Sequence, residues 1–326
     1  MVDKSDRDWR WIMRRITRHT LLYTEMITAP AVIRGDRKKL LGFDDSEKPL
    51  VLQLGWDDPG DLAEACRIAE DFGYDEINLN CGCPSDKVQQ HDFGACLMAR
   101  PSHVAELVES MASASSLPIT VKNRIGIRSR KNGLSLETYE HLHQFVGTVA
   151  EAGCRKFTIH ARIAILEGLS PRENRDVPPL RPEDVYRLKT DFPELFIEIN
   201  GGYRTLADID VALEQADAVM LGRLALDDPW ILSLADRLWF GDTSPAPTRR
   251  EVLEASIPYM IRRAEQGASR GLLIQPLMNL FAGQRGAKAW KRAMTEIHGA
   301  GREGFAGALW AAVDLLDGEL LDRRPE

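Results

Sequence analysis

Along most of the chain, short runs of aliphatic and β-branched residues alternate with longer stretches in which apolar residues recur every three or four positions. The strand-like runs are LLYTEM (21–26), PLVLQLG (49–55), EINLNCG (76–82), ITVKNRIG (119–126), KFTIHAR (156–162), FIEINGG (196–202) and AVMLGR (218–223). Helical spacing fills the intervals over 60–72, 101–113, 135–151, 182–190, 204–214 and 228–239. Repeated strand–helix units of similar length predict an α/β fold with a parallel sheet, the (β/α)8 TIM barrel. The strand-like runs number seven, however, and the chain opens in a helix over 6–18. Closure of a barrel leaves no unpaired edge. The pattern therefore predicts a barrel whose first strand is missing, through a start site placed too late or a truncated chain.

After Phe240 the pattern changes. GDTSPAPTRRE (241–251) is rich in Pro, Ser and Thr, and the apolar periods beyond it are all helical. Two domains are expected, a catalytic barrel over 1–240 and a small all-α domain over 241–326.

Composition narrows the functional class. With 44% apolar and 28% charged residues among 326, the chain can build a sizeable core, which excludes a disordered protein. The first fifteen residues lack an apolar leader segment, and no later run approaches the ~18–20 apolar residues of a membrane span. A cytoplasmic protein without membrane association is expected. Five cysteines are sparse and odd in number, which favours reduced thiols over a disulfide framework. The net charge of −7 argues against a generic nucleic-acid coat. Between 262 and 302, though, Arg262, Arg263, Arg270, Arg285, Lys288, Lys291, Arg292 and Arg302 face only Glu265 and Glu296. Such a stretch is either a solvated helix face or a surface for an anionic polymer.

Chemistry gathers where the strands end, which in this barrel is where active sites are built. Gln53, Asn80 with Cys83, Lys122 with Arg124, His160 with Arg162, Asn200 with Gly201 and Gly202, and Gly222 with Arg223 all fall there. The two glycine-bearing turns suit phosphate, since glycine admits close backbone approach and Arg223 adds charge. With neither a GxGxxG nor a Walker motif present, a phosphorylated cofactor such as flavin mononucleotide (FMN) held in the barrel fits better than a dinucleotide fold. Lys122 reads as a Schiff-base amine or as a cation beside an electron-rich ring. His160 reads as a general base, a core histidine or a donor to cofactor. Cys81, Cys83, His91 and Cys96 invite a zinc or iron–sulfur reading, but the CxC spacing departs from the usual C-x2–4-C, so no metal is predicted. Cys96 has apolar neighbours and is expected to be structural.

The segments INLNCGCPS (77–85), VKNRIGI (121–127), IHARIAILEGLSPRENRDVPPL (159–180), INGG (199–202) and VMLGR (219–223) together resemble the tRNA-dihydrouridine synthases. SPRENRDVPPL (170–180) resembles their A-type subfamily in particular. The resemblance runs from Met1 into the helical domain. It implies an FMN enzyme that reduces the C5=C6 bond of uridine in the tRNA D-loop, at uridines 20 and 20a, with NADPH as reductant. It further implies Cys83 as proton donor and Asn80 against the target nucleotide. The implied FMN contacts are Gln53, Lys122, His160, Asn200, Gly201, Gly202, Gly222 and Arg223, with Met1 the remnant of a Pro-Met pair that ends the family's first strand. Implied tRNA contacts are Arg172, Arg175, Lys288 and Lys291. tRNA and NADPH are then the expected partners, with no obligate protein partner. Two alternatives remain, a barrel lyase using Lys122 as a Schiff-base amine and a non-catalytic tRNA-binding protein.

Overall fold

A computed structural model describes residues 1, 4–131, 133–299 and 304–325, so Arg302 of the basic stretch lies outside the described residues. The chain packs as two units, one of residues 23–42 and 50–222, the other of residues 1–22, 43–49 and 223–326.

The first unit is built on seven strands: β1 (Leu22–Thr28), β2 (Leu50–Gly55), β3 (Glu76–Cys81), β4 (Ile119–Arg124), β5 (Lys156–His160), β6 (Phe196–Asn200) and β7 (Ala218–Met220). They lie side by side in chain order, and the pairs from β2 to β7 are parallel. This is the curled parallel sheet of a (β/α)8-type barrel, in seven strands, as the sequence pattern predicts. Among the described residues β1 and β7 form its edges, and Ala218, Val219 and Met220 are each half-buried.

Local signals explain the helices between the strands. Pro59, Pro101 and Pro182 each open a helix, where a missing N–H costs nothing and φ is already set. The Asp58 carboxylate caps Pro59–Phe72 by accepting from the Asp61 N–H, and Gly73, at φ 80°, ends it in the left-handed conformation. Two expectations are corrected. Helical structure expected from 135 begins at Tyr139, because Leu134–Leu136 pairs antiparallel with Ile127–Ser129, which also pairs with Ala164–Ile165. The helix expected over 228–239 is a 3-10 turn, Pro229–Leu234, followed by the helix Ala235–Phe240. There the Ser233 hydroxyl donates to the Trp230 carbonyl at 2.6 Å, competing with the helical ladder.

In the second unit every element of the described residues is helical. Arg7–Ile16 buries Trp9, Ile12, Met13 and Ile16, one stripe at helical spacing, and its N-terminus is capped by Asp6. It packs on Arg249–Glu265. Asp8 accepts from the Tyr259 hydroxyl at 2.6 Å and from Arg263 Nε at 2.7 Å, and Trp11 stacks on Tyr259 with centroids 3.9 Å apart. Further along, Ala287–Gly299 buries Trp290, Met294 and Ile297, which leaves Lys288, Lys291 and Arg292 exposed together. No helix among the described residues is long and apolar enough to cross a membrane.

Candidate active site

Strand periodicity divides the side chains of the sheet. Leu52, Leu54, Ile77, Leu79, Val121, Phe157, Ile159, Ile197 and Ile199 are completely buried on the face under the helices. The alternate positions are polar on strand after strand: Gln53; Glu76, Asn78, Asn80; Thr120, Lys122, Arg124; Lys156, Thr158, His160; Glu198, Asn200. Parallel register brings these side by side, with Gln53 opposite Asn78, Asn78 opposite Thr120, Asn80 opposite Lys122, Arg124 opposite His160 and His160 opposite Asn200. The inner face of the sheet is thus an almost unbroken polar surface, where barrels usually carry branched aliphatic residues.

Cys83 sits just beyond β3. The Asn80 side-chain oxygen accepts from the backbone N–H groups of Gly82 and Cys83, both at 3.0 Å, and so folds the chain back at the strand end. The Cys83 carbonyl accepts from Ala95 N at 2.9 Å, and its half-buried thiol lies 3.6 Å from the Ser85 hydroxyl. Gly94 makes that return possible. Its φ is 66°, and an added Cβ would lie 2.6 Å from the Cys83 carbonyl oxygen and against the Val88 side chain. Gln89 then ties the loop down, donating to the carbonyls of Pro84 at 2.8 Å and Leu166 at 2.7 Å.

Positive charge concentrates beside this loop. Burial, with Arg124 nearby, lowers Lys122 to about 8, and its ammonium donates to Asn200 Oδ1 at 3.2 Å. Asn200 is held in turn by the Met220 carbonyl at 2.8 Å. His160 is pushed well below its ordinary value, first by burial and then by Arg124, Lys122, Arg162 and Arg175, so it is a neutral imidazole at pH 7. Its Nδ1 is buried without a hydrogen-bond partner among the described residues. Arg124, lowered to about 10 mainly by burial, donates to three carbonyls: Gly82 at 2.9 Å, Ile163 at 2.9 Å and Asn174 at 3.0 Å. It therefore joins the Cys83 turn to the segment that carries exposed Arg172 and half-buried Arg175. Asn174 is completely buried and closes that segment on itself through Ile165, Leu169 and Ser170.

Gly201 and Gly202, at φ 118° and 88°, leave β6 in a conformation other residues rarely adopt, and a Cβ on Gly201 would lie 2.9 Å from the His160 ring. Gly222 follows β7 by two residues. The structure thus gathers Gln53, Asn80, Cys83, Lys122, His160, Asn200, Gly201 and Gly202 at one end of the sheet. Met1, Arg223, Lys288 and Lys291 belong to the helical unit, where all of them are exposed.

The other cysteines are set apart by surroundings. Burial pushes Cys66 and Cys154 up to about 12, raises Cys81 further, and also raises the half-buried Cys96. No cluster of three His, Cys, Asp or Glu side chains suited to a metal occurs among the described residues. The residues that sequence reasoning passed over are Glu76, Asn78, Thr120, Thr158 and Glu198. Their signal was the period-two recurrence of polar residues inside strands already identified.

An unpartnered imidazole nitrogen, a buried ammonium and carboxamides at the strand ends offer the donors that a planar heterocycle rich in carbonyls requires. The residues present therefore fit a flavin. The family model described as Dihydrouridine synthase (Dus) matches residues 1–313. A tRNA-dihydrouridine(20/20a) synthase of Synechocystis sp. is 52% identical over 296 residues, covering 91% of this chain and 87% of that protein. Proteins of the same name from Pseudomonas putida and Vibrio cholerae are 46% identical over 319 residues and 44% identical over 297. The first covers 98% of this chain and 93% of that protein, the second 91% and 89%. A match over nearly the whole chain, with the Cys83 turn and its cationic surroundings in place, means that this protein belongs to the dihydrouridine synthase family.

Proposed function

We propose that the protein reduces uridine to dihydrouridine in the D-loop of tRNA, at positions 20 and 20a, in the cytoplasm. The observation that carries the reading is the Cys83 turn: one half-buried thiol, fixed by Asn80 at a strand end, beside a half-buried lysine and a neutral histidine. Saturating a uracil C5=C6 bond requires a hydride at one carbon and a proton at the other. FMN, when bound, supplies the hydride to C6, and NADPH renews it.

The chain's own residues supply the rest. The Cys83 thiol gives its proton to C5, a role for a protonated sulfur rather than a thiolate nucleophile. Gln53, Lys122, His160, Asn200, Gly201 and Gly202 hold the cofactor, with Gly222. Lys122 keeps a positive charge where electron density accumulates on reduction. Both lone pairs of the Asn80 side-chain oxygen are taken by the turn, so toward the target base Asn80 offers an N–H, a match for a uracil carbonyl. Reaching the barrel mouth requires the base to leave its stack, at about a few kcal/mol. Offsetting that cost falls to phosphate contacts from Arg172 and Arg175 and from Lys288 and Lys291 of the helical domain, 241–326, which we assign to tRNA binding.

The test is direct. Purified protein given FMN, NADPH and unmodified tRNA should yield dihydrouridine at positions 20 and 20a when the tRNA is digested and analysed by mass spectrometry. Unchanged tRNA, from a protein that retains flavin, would reject the proposal.

A further inference from the structure

Inside the barrel a single file of hydrogen bonds connects the floor of the sheet to the Cys83 turn. The Lys156 ammonium donates to Glu76 Oε2 at 2.9 Å, and the other carboxylate oxygen accepts from the Thr120 hydroxyl at 2.7 Å. Thr120 Oγ1 accepts from Asn78 Nδ2 at 2.9 Å, and Asn78 Oδ1 accepts from Gln53 Nε2 at 2.9 Å. Gln53 Oε1 accepts from Asn80 Nδ2 at 2.8 Å, and Asn80 Oδ1 accepts from the N–H groups of Gly82 and Cys83. Glu76, Asn78, Thr120 and Asn80 are all buried, so water has little access to substitute for a lost link.

Both ends of the file fix its direction. At one end a carboxylate already paired with an ammonium can only accept; at the other, two backbone N–H groups can only donate. Each carboxamide between them then has one orientation that satisfies both neighbours. Were Asn78 turned over, its NH2 would face the NH2 of Gln53 and its oxygen would compete for the one Thr120 proton. Because each bond polarises the next in a low-dielectric interior, the file acts as a unit rather than as separate contacts.

We propose that Glu76, Thr120 and Asn78, none of which lies at the C-terminal strand ends, are positioning residues for the Cys83 acid. Through Gln53 and Asn80 they hold the turn in the geometry that proton delivery requires. This rests on the proposed function for its catalytic consequence, but not for its structural one.

The experiment compares Thr120→Val, close in shape but lacking the hydroxyl, with Thr120→Ser, which keeps it. The first readout is the rate at which Cys83 of the full-length, FMN-bound protein is alkylated by iodoacetamide, followed by peptide mass mapping without tRNA. The second is kcat and tRNA KM for dihydrouridine formation. Thr120→Val should raise the Cys83 alkylation rate severalfold as the turn loosens, and lower kcat roughly tenfold with KM unchanged, a cost typical of a slightly misplaced group. Thr120→Ser should return both values toward wild type. Asn78→Asp, which removes the donor to Thr120 but keeps the acceptor for Gln53, serves as the second break if the valine variant melts early. Wild-type alkylation and kcat in both broken variants would overturn the proposal. So would a serine variant as impaired as the valine one, since the hydroxyl would then be irrelevant. A wild-type protein that makes no dihydrouridine would instead refute the proposed function, leaving alkylation alone to judge the file.

Discussion

Lys122 should make the protein less stable than it need be, and replacing it should show this. Its ammonium titrates at about 8 instead of 10.5 because it is buried beside Arg124. Such a displacement corresponds to about 3 kcal/mol against the charged form in the folded protein. Residual water contact and loss of the 3.2 Å bond to Asn200 reduce the benefit of removing it, so Lys122→Met should stabilise by about 1–2 kcal/mol at pH 7. The sign depends on pH. Below about 8 the lysine is charged in both folded and unfolded chains, and the full penalty is present. Between about 8 and 10.5 the unfolded chain binds more protons, so the wild type gains stability as pH rises while the variant does not. Urea denaturation of both proteins at pH 7 and again near 10 checks this, because titrations common to both cancel in the difference. The wild type should gain about 2–3 kcal/mol between pH 7 and 10, so the variant's advantage should vanish and reverse at the higher pH; its dihydrouridine formation should be lost, stability having been traded for a charge the reaction needs. An advantage that is pH-independent, or a less stable variant at pH 7, would refute the reasoning.

The remaining expectations concern the loop and the RNA surface. Gly94→Ala should destabilise the protein by about 2 kcal/mol or more, since it combines a left-handed backbone with a clash at the Cys83 carbonyl; an unchanged melting temperature would show that the loop can move aside. Lys288→Ala with Lys291→Ala should weaken tRNA binding and reduce the slope of log affinity against log salt by roughly 2. Equal slopes for the double variant and the wild type would remove these lysines from the interface.

The barrel was legible because its strands announce themselves twice, as β-rich runs and by the glycines or polar residues that end them, as in FIEINGG and AVMLGR. The three-stranded sheet was not, because Ile127–Ser129 and Ala164–Ile165 are too short to show a period and exist only through pairing across distant loops. Cys83, Lys122 and His160 stood out by type and position. Glu76 and Thr120 did not, since a polar residue inside a strand reads as ordinary alternation with an outward-facing position. Only the register, which turns that face into the barrel, makes them part of the site. Arg124 was read as a pocket cation, whereas its guanidinium is spent on three carbonyls that no one-dimensional pattern relates.

The most direct test of the central claim is a single turnover by Cys83→Ala protein loaded with pre-reduced FMN and mixed with unmodified tRNA. Dihydrouridine formation should fall by roughly a hundredfold or more relative to wild type, the contribution expected of a positioned general acid, while flavin and tRNA are still bound. Product appearing at the wild-type rate would contradict the account, because the proton would then come from elsewhere.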